Sequence, residues 1–462
     1  MKQRGYIFLK VVLPLIYILI FLPQLNNQIA PNNHNLIITL TTIENWMDEG
    51  ALHHNFNLVH SWGNEGDKNV CYYKRVMNEE GRNYFVSYPP FATILIYPFL
   101  QMFPKEYLPF GFKLFGMILH LLTYLALLVL FRERSEFQRL FGAAVFLFFP
   151  ASIVLSGMYY PEQLILFLAV LLAFVIQDKK SPVLIGILSF LLIYTDWLGA
   201  LIIGSLLLMR LLKKGKIPLD YLLIGGLSGG LILIFQYSLI DGLDGLIRGL
   251  KIRYLERSGI FPQEYSDRGV NLFSSESFLF LKHHFLHASG VALGIILLLK
   301  PKFKQTNVLF WVLILPIGIH LILLFNSNIL HYQNLSKVGL LLAVIGSTIT
   351  KEGKLSWTIA PIIILYAYLS CLSYWEDYAI DQSLSEEAAF IKAKNDPNKV
   401  MVIEQNGFGE NLVILSYLTK RNLVWSSSIE GAQKILESSN QKEFLLFNLK
   451  GRSITSGLAL NP

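Results

Sequence analysis

The side chains best equipped for chemistry gather in one stretch, from Gln24 to Tyr88. His34, Glu44, Asp48, Glu49, His53 and His54 fall close together there, followed by His60, Asp67, Lys68, Lys74, Arg75 and Arg82. Carboxylates and histidines are the usual carriers of protons in catalysis. Cations set among them can neutralise charge that develops on a leaving group. The three histidines raise the question of a metal, but His53 and His54 are adjacent and diverge on a regular helix. No cysteine or carboxylate completes a known ligand spacing, so no metal is expected. Further along, Glu162 opens an apolar run and Asp196 reads as a turn residue. Lys282, His283, His284 and Lys337 stand at the ends of apolar runs, where they either meet a lipid phosphate or anchor a helix.

These residues are held by an apolar frame. Of 462 residues, 53% are hydrophobic and 15% charged, against roughly 25% charged in a soluble protein. Uninterrupted runs such as Leu121 to Phe131 and Leu164 to Ile176 recur along the chain. A bilayer core takes about 20 apolar residues as helix, which predicts about eleven to twelve spans here. Lipid offers no partner to an open backbone, so the runs must be helices. The fold class expected is an all-α polytopic membrane protein with a small C-terminal α/β domain. The net charge of +7 comes from short loops between spans and excludes a nucleic-acid partner. Two cysteines, Cys71 and Cys371, make no disulfide framework. No nucleotide phosphate-binding loop occurs, which argues against an ATP-driven transporter.

Topology follows from the basic residues, which stay cytoplasmic. Lys2 and Arg4 precede the apolar run Tyr6 to Leu22, read as a retained first span because no small-residue cleavage site follows. Clusters at Arg132, Arg134 and Arg139, at Lys179 and Lys180, and at Arg210 to Lys216 can share that side, as can Lys300 to Lys304 and Lys351 with Lys354. They do so only if the proline-rich segment Pro89 to Phe103 half-crosses and returns, which places the loop 24–88 and the C-terminus outside. Within the loop, Leu36, Leu40, Ile43, Met47 and Ala51 recur at helical spacing and predict an amphipathic helix along the membrane face. Residues 1–374 form the expected membrane domain. Residues 375–462 alternate helix and strand and form the expected soluble α/β domain, with a glycine turn at Asn406 to Gly409. Gly225, Gly226, Gly229 and Gly230 form a stripe suited to helix packing.

With the frame in place, a family resemblance emerges. The segment Tyr84-Phe85-Val86-Ser87-Tyr88-Pro89-Pro90-Phe91 resembles the element that follows the first outer loop in the GT-C superfamily of membrane glycosyltransferases. Tyr159-Tyr160-Pro161-Glu162 resembles that family's proline-acid element, and Leu330-His331-Tyr332-Gln333 its late outer-loop element. The resemblance implies an inverting transferase that moves a sugar from a polyprenyl-phosphate donor to an acceptor at the outer face. It further implies a bacterial inner-membrane protein with a periplasmic C-terminal domain, membrane lipid as surroundings, and no cofactor. The acceptor is left open among glycan, lipid and protein. Many relatives carry an acidic pair at the start of the loop, where this chain has Asn33-His34-Asn35. The catalytic base is therefore expected at Asp48 or His34, then at Glu44 or Asp67. Substrate contacts are expected at Tyr88, Glu162, His331, Tyr332, Lys337, Lys74 and Arg82. The competing classes are a transporter or flippase of a lipid-linked saccharide, which requires polar residues deep in several spans, and a non-catalytic scaffold of the same fold.

Overall fold

The computed structural model describes residues 3–25, 34–70, 76–86, 88–214, 217–258, 308–330, 332–349, 362–372, 382–405 and 410–458, and positions 275 and 278. Helix α1 (Gln3–Phe21) is followed by α2 (His34–Asn45), which runs into a widened turn at Trp46–Gly50. A two-strand hairpin, β1 (Val76–Met77) with β2 (Asn83–Tyr84), closes the loop that α2 opens. Eight helices follow: α3 (Phe91–Leu100), α4 (Leu108–Leu130), α5 (Glu136–Leu147), α6 (Pro150–Ser156), α7 (Pro161–Gln177), α8 (Pro182–Ile193), α9 (Trp197–Leu211) and α10 (Leu219–Ser258). Proline stands in the first turn of α4, α6, α7 and α8, where its missing N–H costs nothing. Further apolar helices cover Phe310–Leu323, Ser336–Gly346 and Ile362–Leu372.

Among the described residues, three helices are long and apolar enough to cross a membrane: Gly5–Leu25, Lys105–Leu130 and Leu219–Ile252. A fourth candidate is the pair α5 and α6, bent by 58°. Seven more apolar helices have 10–17 residues. Among the described residues, then, most of the apolar helices are shorter than a full crossing. Proline and polar turns cut the apolar runs before they reach the roughly 20 residues of a full crossing.

Ion pairs show which helix ends lie together. Lys10 meets Glu136 at 2.6 Å and Arg132 meets Asp178, so α1 and the turns after α4 and α7 share one end. At the other end the Phe91 N–H donates to Tyr194 O at 3.3 Å, and the Tyr97 hydroxyl to Trp46 O at 3.0 Å. Lys105, just past α3, pairs with Asp48 of the α2 turn. Both ends of α3 therefore belong to the same side. At about 1.5 Å per residue its ten residues span only some 15 Å. The helix is thus shorter than a full crossing.

Helix α10 breaks at Asp241 and Gly242, where the backbone leaves helical geometry. Its first half packs against α8, with Gly225 facing Gly186 and Gly229 facing Phe190. Its second half runs along the hairpin, where Gly249 approaches Val76 and Val86. The break thereby delivers Arg257 to the region around Tyr88.

The C-terminal part carries a sheet of order β4-β3-β5-β6: β3 (Val400–Glu404), β4 (Leu423–Ser426), β5 (Glu443–Asn448) and β6 (Ser453–Leu458). Strand β3 is parallel to both β4 and β5, whereas β6 turns back antiparallel to β5. The boundary expected at Trp375 and the turn at Asn406 to Gly409 lie outside the described residues. This unit sits directly on the loop after α1. The Gly66 N–H donates to Pro397 O at 2.8 Å, and a Cβ at Gly66 would come within 2.5 Å of Lys399 O, so only glycine permits the approach. The helix Glu410–Thr419 covers α2, whose Leu36, Leu40 and Ile43 are buried along with Thr41, Thr42, Glu44 and Asn45. The predicted amphipathic helix is thus covered on its polar face as well, because the C-terminal unit and the segment 57–61 pack over it.

Candidate active site

The loop charges expected to act as a base are mostly engaged elsewhere. Glu44 accepts from the Tyr417 hydroxyl at 2.5 Å and pairs with Lys420 at 2.5 Å. Asp67 pairs with Arg421 at 3.0 Å, and both are buried. The Asp67 carboxyl also receives the Asn422 N–H at 3.1 Å and Asn64 Nδ2 at 2.8 Å. Burial pushes its pKa up to about 6, against the pull of Arg421 and these donors. Glu44 and Asp67 thus pin the C-terminal unit to the loop. Asp48 is exposed and paired with Lys105. Arg82 is a loop brace: it donates to Asn45 Oδ1 at 2.6 Å and Ser61 O at 3.1 Å, and meets Glu49 at 3.1 Å. His34 opens α2, but its side chain lies outside the described residues, as do Lys74, His331 and the side chain of Tyr332.

The structure does bring together three of the expected substrate contacts. Glu162, at the start of α7, accepts from the Tyr88 hydroxyl at 3.3 Å. Lys337, in the first turn of the helix Ser336–Gly346, places its ammonium 3.8 Å from Glu162 Oε1. Both side chains are almost fully buried, at 0% and 3% exposure, and the Lys337 ammonium and Glu162 Oε2 have no hydrogen-bond partner. Unsatisfied buried polar atoms are uncommon because each costs about 1–3 kcal/mol, more when charged. Ser336 on this helix and Trp311 and His320 on Phe310–Leu323 also carry buried polar atoms without a hydrogen-bond partner.

Three further members were not read from the sequence. Asp196 caps α9, accepting the Leu198 N–H at 2.7 Å, and is buried within electrostatic reach of Glu162, Lys337 and Arg257. The Arg257 guanidinium lies 4.2 Å from the centre of the Tyr88 ring, which meets Tyr160 edge-on at 4.9 Å. His320 faces both cations. Asp196 looked like a turn residue because it stands between two short apolar runs, and a helix cap does occupy such a position. Its burial is set by the helices around it and leaves no local signal. Arg257 is separated from the first half of α10 by the break at 241–242, so no spacing rule ties it to Tyr88.

The cluster therefore holds two carboxylates and two cations, with Glu162, Asp196 and Lys337 buried and Arg257 partly so. Paired charges of this kind stabilise one another only with good geometry. Here one cation and one carboxylate oxygen are left open. The loop histidines also meet a carboxylate, against the sequence expectation. Past the break at Gly50, whose φ is 92°, the His53 and His54 rings come within 4.8 Å, and Glu49 joins them.

No family model matches the sequence, and no curated protein does. Solved structures do match, and they define a class of fold. ArnT from Cupriavidus metallidurans bound to undecaprenyl phosphate superposes with a TM-score of 0.62, covering 96% of this chain and 93% of that one at 12% identity. The archaeal oligosaccharyltransferase AglB from Archaeoglobus fulgidus, in complex with an inhibitory peptide and a dolichol-phosphate, gives a TM-score of 0.61 over 96% of this chain and 70% of that one, also at 12% identity. Both neighbours belong to the GT-C superfamily, and the chain shares its membrane fold.

Proposed function

We propose that this protein is a GT-C-type glycosyltransferase that moves a sugar from a polyprenyl phosphate to an acceptor, with its site at the Glu162–Lys337 cluster. The observation that carries this reading is the buried Lys337 ammonium, unpartnered and beside an equally open carboxylate oxygen of Glu162. In this fold two neighbours are seen with lipid phosphates.

The reaction follows from the charges. The acceptor nucleophile attacks the anomeric carbon of the sugar from the face opposite the lipid phosphate. A new bond forms there, the bond to the phosphate oxygen breaks, and configuration inverts. Glu162 takes the proton of the acceptor through its open oxygen, in place of Asp48, which is held at the surface by Lys105. Lys337 and Arg257 take up the negative charge that develops on the leaving phosphate, in a pocket where few waters screen it. Tyr88 and Asp196 fix Glu162 and the cations in place. The loop 24–88 and the C-terminal unit lie on the outer face in this reading, which puts the pocket at the periplasmic side of a bacterial inner membrane.

The test is release of free polyprenyl phosphate by the purified protein. It is supplied with undecaprenyl- and dolichyl-phosphate sugars and a membrane extract as acceptor source. Wild type is expected to release lipid phosphate, and Glu162→Gln to lose that release when assayed below its unfolding temperature, where the variant is still folded. Absence of release by wild type from every donor would overturn the transferase reading in favour of a scaffold.

A further inference from the structure

Away from the Glu162–Lys337 pocket, the end of α2 and the β1–β2 hairpin bring four more ligating side chains to one place. Glu49, His53 and His54 offer ligand atoms that all lie within 4.8 Å of one another. Glu49 lies on the widened turn and His53 four residues later in the turn 51–56, and the backbone then reverses through Asn55 and Phe56, both left-handed with φ near 49° and 55°. The break at Gly50, whose φ is 92°, takes His53 and His54 off the helix, and His54, which would diverge on a regular helix, joins the same cluster. From the facing hairpin, Glu80 Oε2 reaches to 3.8 Å from His53 Nε2.

His54 is the most informative member. Its side chain has no solvent exposure, and its Nδ1 lies 3.0 Å from the Tyr84 hydroxyl. Its Nε2 is only 2.9 Å from Glu49 Oε2, so the two atoms are in direct contact. In the tautomer with the proton on Nδ1, donated to the Tyr84 hydroxyl, Nε2 and Oε2 offer both their lone pairs to a cation held between them. Ligand atoms about 2.0–2.2 Å from a tetrahedral ion stand roughly 3.3 Å apart, so Nε2 and Oε2 need only a small adjustment. The other carboxylate oxygen, Glu49 Oε1, is neutralised by Arg82, itself held by Asn45 and Ser61. Such braced partners orient ligands in known metal centres. His53 and Glu80 are half-exposed or more, so they can swing to close the ion from the solvent side.

We propose that Glu49, His53, His54 and Glu80 form a site for one divalent cation of the zinc class, which ties the β1–β2 hairpin to the end of α2. The donor set of two imidazoles and two carboxylates, without thiolate, suits Zn2+, Co2+ and Mn2+. The bound ion fixes Tyr84, and through it the short segment that leads to Tyr88 at the other site. The proposal stands independently of the transferase reading.

The experiment uses tag-free, full-length protein in detergent, stripped with chelator and dialysed. Zn2+ is titrated by calorimetry, and Co2+ by its visible ligand-field absorption. Wild type is expected to take up one ion per chain, to show the absorption of four-coordinate Co2+, and to unfold at a higher temperature with Zn2+ present. His53→Ala, at an exposed position, is expected to bind about tenfold more weakly or worse, to lose the Co2+ band and to lose the thermal gain. Glu80→Gln is expected to weaken binding less while keeping a shifted band. No stoichiometric uptake by wild type would overturn the site, as would equal uptake by His53→Ala.

Discussion

The Glu162–Lys337 pair allows a structural role to be separated from a catalytic one. The ammonium and Oε1 are 3.8 Å apart, and both side chains are buried. At an effective dielectric near 20 their attraction is about 4 kcal/mol. Lys337→Met takes the direct partner from buried Glu162 and leaves it Arg257, and Glu162→Gln takes the direct partner from buried Lys337 and leaves it Asp196. Each single change is expected to cost about 3–5 kcal/mol of stability, whereas the double change Glu162→Gln with Lys337→Met is expected to lie near wild type. Activity should behave differently. If Lys337 also receives the leaving phosphate, its loss costs about 10²–10³ in turnover, the scale of one preorganised electrostatic contact. The double variant then regains its fold and remains inactive. Thermal unfolding in detergent reads the first quantity and release of polyprenyl phosphate the second. Recovery of release in the double variant, in step with stability, would refute the catalytic assignment and leave the pair a packing device.

Three other outcomes follow from single residues. Arg257→Gln keeps the stacking length over Tyr88 but removes the charge, and should lower turnover at least tenfold with little change in unfolding temperature; unchanged release under saturating donor counts against its phosphate role. Asp67 has its pKa raised from 3.8 to about 6 in the folded chain. The folded state thus holds this proton more tightly than the unfolded state does, and its contribution to stability is present below about pH 4 and lost as pH rises through 6, by about 3 kcal/mol. Unfolding curves between pH 4 and 7 should show that loss in wild type and not in Asp67→Asn; parallel curves sink the assignment. Gly225→Ala places a Cβ 2.0 Å from Gly186 O, so α8 and α10 must separate, at a cost of about 1–3 kcal/mol seen as a lower unfolding temperature.

How far the sequence could be read depends on the range of the interaction involved. The shortness of α3 was legible because Pro89, Pro90, Pro98 and Pro104 bound or interrupt its apolar run. Strands β3, β4 and β5 were legible from short apolar runs between helical segments. Strand β6, Ser453–Leu458, was not: its side chains are largely exposed, and only pairing with β5 makes it a strand. The same limit governs the sites. Glu44 and Asp67 looked like free acids because their partners, Lys420 and Arg421, stand more than 350 residues away. Conversely, Glu162 and Lys337 were found at the ends of apolar runs, since an ion at such a position demands a reason, while Asp196 and Arg257 were passed over because caps and kinks disguise burial. A charge pattern along the chain shows where ions are costly. Which ions share that cost is fixed only when the break in α10 brings Arg257 over Tyr88 and the helix Ser336–Gly346 brings Lys337 to Glu162.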